Sequence, residues 1–377
     1  MILKSIKYSE YDNAPGAWHL ENFDLEKINL IVGKNAVGKT RTLNVIGALA
    51  DLVASDKAAF DEGFFEAVFL NEFSEQIELT IHFNNSKVIK EKLKIGDNVL
   101  LERGVGGIGT IFAKQLKKNI QFQLGDNELA CVKKRDAIQH PFLENLFEWG
   151  KSARFFRFGY GLGKTHFQLL NDSKIGELNL KQTINVNAIL KDGISKYKDD
   201  FTKKIIKDMK SLNYDISNIY IENIPNIAVS VSNIENIEQL QGVCIEEKGI
   251  NKKLFQLDLS DGMFRALSLI IQLNYSILEG FNNLILVDDI GEGLDFERST
   301  SLIKTLIDKA KKSNMQLLMS TNDRFVMNNV PLKYWSVLQR KNNICKVLNY
   351  SNSKEKFDEF NFTGLSNFDL LSTDFLA

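Results

Sequence analysis

The chain of 377 residues is long enough for two or three domains at about 150 residues each, or for one large α/β unit. Its residues are 44% hydrophobic and 25% charged, which suits an ordinary globular core. The 47 basic and 48 acidic residues nearly cancel, which excludes a surface that coats nucleic acid throughout and leaves only local patches for such contact. Three cysteines, Cys131, Cys244 and Cys345, stand far apart without metal-ligand spacing. They exclude a disulfide scaffold or a Cys-rich zinc site and point to a reducing, cytoplasmic setting.

The opening, MILKSIKYSEYD, has no apolar core of signal-peptide length. Ile2, Leu3 and Ile6, and then Trp18 to Phe23, alternate as strands do. The apolar run Ile28 to Val32 predicts a buried strand that runs straight into glycine. Thr40 to Val53 carries Leu43, Val45, Ile46, Leu49, Leu52 and Val53 at helical spacing. Gln76 to Phe83 alternates as a strand, and Val88 to Leu101 holds further strands. Ile194 to Leu212 reads as an amphipathic helix, too short for a long coiled coil. After about residue 250 the pattern becomes loop, helix, strand (Leu284 to Val287), helix, strand (Gln316 to Met319). Strands alternating with helices predict a parallel sheet covered on its faces. The most apolar long stretch, Ala266 to Phe281, is broken by Gln272 and Asn274 and is read as a buried helix, so no membrane contact is expected.

Three segments carry chemistry. Gly33-Lys34-Asn35-Ala36-Val37-Gly38-Lys39-Thr40 is a complete G-x-x-x-x-G-K-[ST], with an apolar strand before it and a helix after it. Such a loop curls its N–H groups around phosphate, and the helix adds the positive end of its dipole. Lys39 is expected to reach the β- and γ-phosphates of ATP, Thr40 to offer its hydroxyl to Mg²⁺, and Arg41 to complete the nucleotide-binding run. Leu284-Ile285-Leu286-Val287-Asp288-Asp289 is an apolar strand ending in two carboxylates. Asp288 suits Mg²⁺ and Asp289 suits polarisation of an attacking water. The third segment is Leu259-Ser260-Asp261-Gly262-Met263-Phe264-Arg265.

That segment resembles the LSGGQ-type signature of ATP-binding-cassette (ABC) proteins, in the form Leu-Ser-x-Gly-x-x-Arg. Asp288 to Asp295 matches the run from Walker B to the D-loop, with Asp295 as the D-loop aspartate, and Gln316 to Asp323 sits where the switch belongs. The distance from Thr40 to Leu259 exceeds that of transporter ATPases and is similar to the split heads of the RecF, SMC and OLD group. The chain lacks the long coiled coils and Cys-x-x-Cys hook of SMC proteins, and it closes too soon after the switch for an appended Toprim nuclease. It is similar to stand-alone ATPases of prokaryotic defence and repair operons. The resemblance implies an α/β P-loop ATPase head of ABC type with an inserted α+β lobe. The head would comprise residues 1–95 and 251–377, and the lobe 96–250. It also implies a homodimer that holds ATP between one chain's Walker A loop and Ser260 and Gly262 of the other. A separate effector, nuclease or toxin, would read its opening and closing.

Two positions depart from the family. Asp289 stands where the family usually has glutamate, and Asn322 replaces the switch histidine. The shorter acid holds water farther away, and asparagine cannot titrate near neutral pH, so turnover is expected to be slow. A non-hydrolysing ATP switch is the second reading and a transporter subunit the third. No glutamine is assigned to the Q-loop.

Other segments imitate sites. Gly104 to Gly109 satisfies G-x-G-x-x-G, but Glu102 and Arg103 stand where a buried strand would end. It is read as a glycine turn of the inserted lobe. Gly159 to Thr165 resembles a second phosphate loop but has Phe158 in place of the first glycine, and is read as a turn, with a loop that meets DNA or a partner as the alternative. The runs Lys114/Lys117/Lys118, Lys133/Lys134/Arg135 and Lys203/Lys204/Lys207 are read as solvated faces, with nucleic acid as the alternative. His19, His82, His140 and His166 are read as structural. The C-terminal run Phe360 to Leu371 packs on its own domain or docks a partner.

Overall fold

A computed structural model describes residues 1–12, 14–55, 60–169, 182–224, 240–249, 252–281 and 284–376. The chain begins with β1 (Ile2–Glu10), β2 (Trp18–Asp24) and β3 (Ile28–Val32), followed by α1 (Lys39–Leu52). Six strands come next: β4 (Gly63–Leu70), β5 (Gln76–Asn84), β6 (Lys87–Ile95), β7 (Asn98–Arg103), β8 (Ile108–Ala113) and β9 (Lys118–Gln123). Then come α2 (Ala130–Lys133), α3 (Glu144–Ser152), β10 (Arg154–Arg157), β11 (Gln168–Leu169) and α4 (Val186–Ser211). Strands β12 (Ile216–Asn223), β13 (Leu240–Glu247) and β14 (Lys253–Phe255) precede α5 (Asp261–Leu278). The last part runs through β15 (Leu284–Asp288), α6 (Phe296–Lys312), β16 (Gln316–Ser320), α7 (Arg324–Asn329), β17 (Trp335–Lys341), β18 (Ile344–Asn349), α8 (Tyr350–Phe362) and α9 (Asp369–Ser372).

The chain divides into two compact units. The first holds Met1–Ala153, Asn282–Leu286 and Gln316–Ala377, and the second holds Arg154–Phe281 and Val287–Met315. These units cut the sequence at places other than the expected 95/96 and 250/251. Residue 95 lies inside the β6–β7 hairpin, whose strands pair from Glu91↔Arg103 to Ile95↔Asn98. Residues 170–181 and 225–239 of the expected lobe lie outside the described residues.

In the first unit the strand order is β15, β16, β3, β17, β18, β2, β1, β4, β5, β6, β7, β8, β9. β3 is buried along its whole length, as is β16. Strands covered on both faces read as unbroken apolar runs, and these two pair in parallel, Leu317↔Ile28 to Ser320↔Ile31. β17 flanks β3 on its other side, also in parallel. The expectation of a parallel sheet therefore holds for this centre. From β4 to β9 the sheet is antiparallel. These strands follow one another through tight turns, and a short turn returns the chain only antiparallel. β5 alternates buried and open residues, as a half-covered strand should.

Buried polar groups fasten this antiparallel wing. Glu91 is fully buried and accepts the N–H groups of Ala130 and Cys131, both at 2.7 Å. Burial raises its pKa, and those two N–H groups oppose the shift. Arg103 is also buried and donates to the carbonyls of Glu128 and Gly125. The G-x-G-x-x-G segment joins β7 to β8. A strand follows it, where a dinucleotide fold needs a helix, so it is a hairpin turn.

The second unit contains a smaller antiparallel sheet, β11-β13-β12, with β14 paired to β13. It also holds α4, α5 and α6. The expected amphipathic helix is α4, but Lys198 breaks its helical backbone with φ 50°. Phe201, Ile205 and Met209 are its buried face beyond the break. A network of Asp208, Asn274 and Lys309 ties α4 to α5 and α6, with Lys309 2.7 Å from Asp208 and Asn274 2.7 Å from the same carboxylate. Among the described residues no helix is long and apolar enough to cross a membrane.

Gly107 has φ +73°, and a Cβ there would lie 1.9 Å from the Leu124 carbonyl oxygen. Gly107→Ala is expected to cost about 2 kcal/mol of stability. ATP affinity, measured by calorimetry beside a urea titration, should stay unchanged, because this turn is no nucleotide site.

Candidate nucleotide and signature sites

The phosphate-loop segment lies in the first unit. β3 ends at Val32, and Gly33, Ala36 and Gly38 then take φ values of 156°, 63° and 109°. This succession of positive-φ residues curls the loop before α1 begins at Lys39. Backbone N–H groups gathered by such turns form an anion-binding concavity. A Cβ at Gly33 would lie 2.7 Å from the Leu338 carbonyl oxygen, so the loop packs against β17 only without one. α1 has no side-chain cap hydrogen bond and no acidic residue in its own first turn.

Lys39 is 7% exposed, and its ammonium lies across the loop, donating to the carbonyls of Gly33 (3.0 Å) and Lys34 (3.2 Å). Thr42 closes the first turn, its N–H reaching the Gly38 carbonyl at 2.8 Å. Arg41 pairs with Glu10 and stacks over the buried Trp18 ring at 4.8 Å. Lys34, Asn35 and Ala36 are exposed. Val37 and Lys34 line a cavity of about 820 Å³, with Arg340, Leu371 and Asp374 among its other walls. Lys34 forms an ion pair with Asp374 at 2.7 Å.

Asn322 is also in the first unit. It follows Thr321, just beyond β16, and the Thr321 N–H points to the Ile31 carbonyl at 3.4 Å. The phosphate loop and Asn322 therefore open at the carboxyl ends of two adjacent parallel strands, where α/β sheets place their ligands. Asp323 caps α7 by accepting the Phe325 N–H at 2.7 Å.

The second unit brings the other predicted residues together. Asp288 ends β15 and is buried, and its carbonyl accepts the Phe158 N–H at 3.0 Å. Asp289 follows with φ 54°, in the left-handed region that aspartate enters more readily than most residues. Asp295 is the N-cap of α6, accepting the Arg298 N–H at 2.9 Å, a bond that holds its carboxyl below the usual carboxylate range. Ser260 is the N-cap of α5, with its hydroxyl accepting the Met263 N–H at 3.2 Å. Gly262 sits so close to the segment after β15 that a Cβ would lie 2.2 Å from the Gly293 carbonyl oxygen. Arg265 donates to the Glu292 carbonyl (3.2 Å) and the Gly159 carbonyl (3.1 Å). Signature, post-strand loop and the Gly159 segment are thus one packed body within this unit.

Sequence reasoning missed the Gly159 to Thr165 segment as part of this body. The one available signal was its Gly-Lys-Thr end, which suggested phosphate instead. Among the basic runs, Lys203 and Lys204 pair with Asp199 and Asp200, and Arg135 with Glu144. The C-terminal run packs partly on its own unit through Phe360 and Leu370, while Phe362 is 91% exposed. All three cysteines are free and buried. Among the described residues no group of three or more His, Cys, Asp or Glu side chains could hold a metal. Mg²⁺ in a nucleotide site needs no such cage, because it takes one or two protein oxygens, phosphate oxygens and water.

No family model and no curated protein matches the chain. Its structure is similar to that of an SMC head bound to the C-winged helix domain of ScpA, with a TM-score of 0.51, 10% identity, and 92% of this chain and 97% of that chain covered. An SMC head domain from Thermotoga maritima gives a TM-score of 0.42 at 13% identity, covering 93% of this chain and 99% of that one. One from Pyrococcus furiosus, with an extended coiled coil and bound to the C-terminal domain of ScpA, gives 0.48 at 11%, covering 96% and 99%. The first similarity shows that the chain has the mixed α/β fold of an SMC head.

Asp295→Ala removes the cap of α6 and is expected to cost about 1 kcal/mol, read as a lowered midpoint in urea denaturation.

Proposed function

We propose that this chain is an ATP-binding and slowly hydrolysing ABC-type ATPase head that dimerises head to tail around ATP. The observation that carries the proposal is the curled loop from Gly33 to Gly38, with Lys39 folded across it and an uncapped α1 behind it. In this reading the run Gly33 to Arg41 binds the nucleotide. Lys39 exchanges its loop carbonyls for phosphate oxygens. Thr40 and Asp288 hold Mg²⁺, which neutralises charge on the phosphates. Asp289 orients and polarises the attacking water, and Asn322 donates to the γ-phosphate. Ser260 and Gly262 meet the nucleotide of a second copy, and Asp295 belongs to the D-loop between them. The SMC-head fold supports this reading at the level of architecture.

We further infer a role in anti-phage defence or DNA repair, with the dimer's opening and closing read by a separate effector, nuclease or toxin, or by nucleic acid at local basic patches. This rests on the resemblance to stand-alone defence ATPases. The short Asp289 and the absent switch histidine favour, as a second reading, a non-hydrolysing switch for the same partner. Genes beside this one would separate an effector system from a transporter, and a phosphate-release assay would separate hydrolysis from switching.

Lys39→Ala should lower ATP affinity about ten- to a hundredfold, the worth of one hydrogen-bonded charge, with an unchanged melting curve. Calorimetry that shows parental affinity in the folded variant would sink the proposal. Asp289→Asn should keep ATP bound and lower turnover by about a hundredfold or more, since an amide cannot accept the proton. Turnover at the parental rate would move the base elsewhere, with Glu292 next. Mixing Lys39→Ala chains with Ser260→Arg chains should restore part of the activity, because one composite site then carries neither lesion. A mixture that associates but stays inactive would argue against a signature acting between chains.

A further inference from the structure

The imitation phosphate loop, Gly159 to Thr165, is turned inward within the second unit. The Lys164 ammonium donates to the Leu259 carbonyl and to the Asp261 carboxylate, both at 2.6 Å. Its side chain is 18% exposed, against 67% for Asp261. The loop that carries it is fastened on several sides. The Leu162 carbonyl accepts the Ser268 hydroxyl at 3.0 Å, and the Gly159 carbonyl accepts Arg265. The carbonyls of Lys164 and His166 accept the Gln256 amide, both at 2.9 Å. An isolated surface ion pair carries little energy, because solvent and side-chain entropy cancel it. Here the lysine is mostly buried on a braced loop, so its position is set by the fold.

What that position does follows from electrostatics. Asp261 is the first residue of α5, next to the Ser260 cap. A helix start attracts anions through its N–H groups and dipole. A bare carboxylate in the same turn would repel a polyphosphate arriving there. The Lys164 charge cancels it, and the bond to Leu259 fixes the backbone one residue before Ser260. Arg265, in the same helix, is the other cation acting on Asp261.

We propose that Lys164 is a positioning residue of the signature: by neutralising Asp261 and holding the Leu259 carbonyl, it prepares Ser260 and Gly262 for the polyphosphate of a nucleotide bound to a second copy of this chain. This rests on the head-to-tail reading above and adds to it the charge that makes an acidic signature usable. It also gives the second Gly-Lys-Thr a role other than nucleotide binding.

The test uses the full chain with ATP and Mg²⁺. Lys164→Met should raise the KM for ATP about tenfold, by charge repulsion at close range, with a smaller change in kcat. The double variant Lys164→Met/Asp261→Asn should return most of that loss, because it removes the stranded carboxylate without restoring the lysine. Lys164→Arg should also recover. A lysine that acts only through its bond to Leu259 predicts no rescue, since the double variant still lacks that bond. A parental KM in Lys164→Met, or a double variant as impaired as the single one, overturns the proposal. If Lys164→Met does not fold, Lys164→Gln with and without Asp261→Asn gives the same comparison. Mixing then locates the lesion. Lys164→Met should be complemented by Lys39→Ala chains and not by Ser260→Arg chains, and complementation by both overturns the assignment to the signature. If Lys39→Ala and Ser260→Arg fail to complement each other, the head-to-tail reading is what fails. The charge rescue by Asp261→Asn needs no mixing and decides the Lys164 assignment by itself.

Discussion

The first unit's offer to a phosphate depends on the parallel register of β16, β3 and β17. β3 is buried throughout, so it must be hydrogen-bonded on both sides, and parallel neighbours with covered faces satisfy that. The pairing brings the ends of β3 and β16 to the same level. Gly33 and Asn322 emerge there, one from each strand. β17 completes the arrangement, since its Leu338 carbonyl is the surface against which the loop curls. Lys39 then donates to two carbonyls of the loop itself, which holds its ammonium across the curl. The loop's backbone is thus already bent, and binding need not supply that ordering.

The second unit depends on a different constraint, close backbone approach. Gly262 meets the Gly293 carbonyl at a distance that any side chain would prevent. Arg265 then spans from the post-strand segment to the Gly159 loop. The start of α5 is therefore packed directly on the chain that follows Asp289. In the proposed dimer this links contact with a partner's nucleotide to the position of the candidate base. The left-handed backbone at Asp289 sets the direction of that carboxylate. A shorter acid on a constrained backbone has fewer ways to reach a water, which is the physical basis of the proposed slow turnover.

Much of this was legible in the sequence where the signal is local. The apolar runs at Ile28 to Val32 and Leu284 to Val287 are strands, and the helix after Thr40 runs as its periodicity predicts. Ser260 and Asp295, read from the sequence as signature and D-loop residues, prove also to cap α5 and α6, as their side-chain oxygens allow. The wing from β4 to β9 was legible only in part. Its strands alternate, but nothing in a single strand states which neighbour it will pair with. The break at Lys198 was also hidden, because Tyr197, Phe201 and Ile205 keep helical spacing across it. Gly104 to Gly109 and Gly159 to Thr165 imitate phosphate motifs and were read as turns, because a motif records spacing, whereas chemistry depends on the element that follows. One is followed by a strand, and the other turns its lysine onto a carboxylate.

Local sequence set the elements that hold the candidate chemistry: an apolar strand before a phosphate-type loop, a helix after it, an acidic strand end and a signature segment ahead of an apolar helix. Those follow from periodicity and turn chemistry, which act over a few residues. Only the tertiary structure decided which carbonyls hold Lys39, that Asn322 opens beside Gly33, that Gly262 lies on Gly293, and that Lys164 neutralises Asp261. Each joins residues far apart in the chain, and the close approach between them is set by packing that no local pattern encodes.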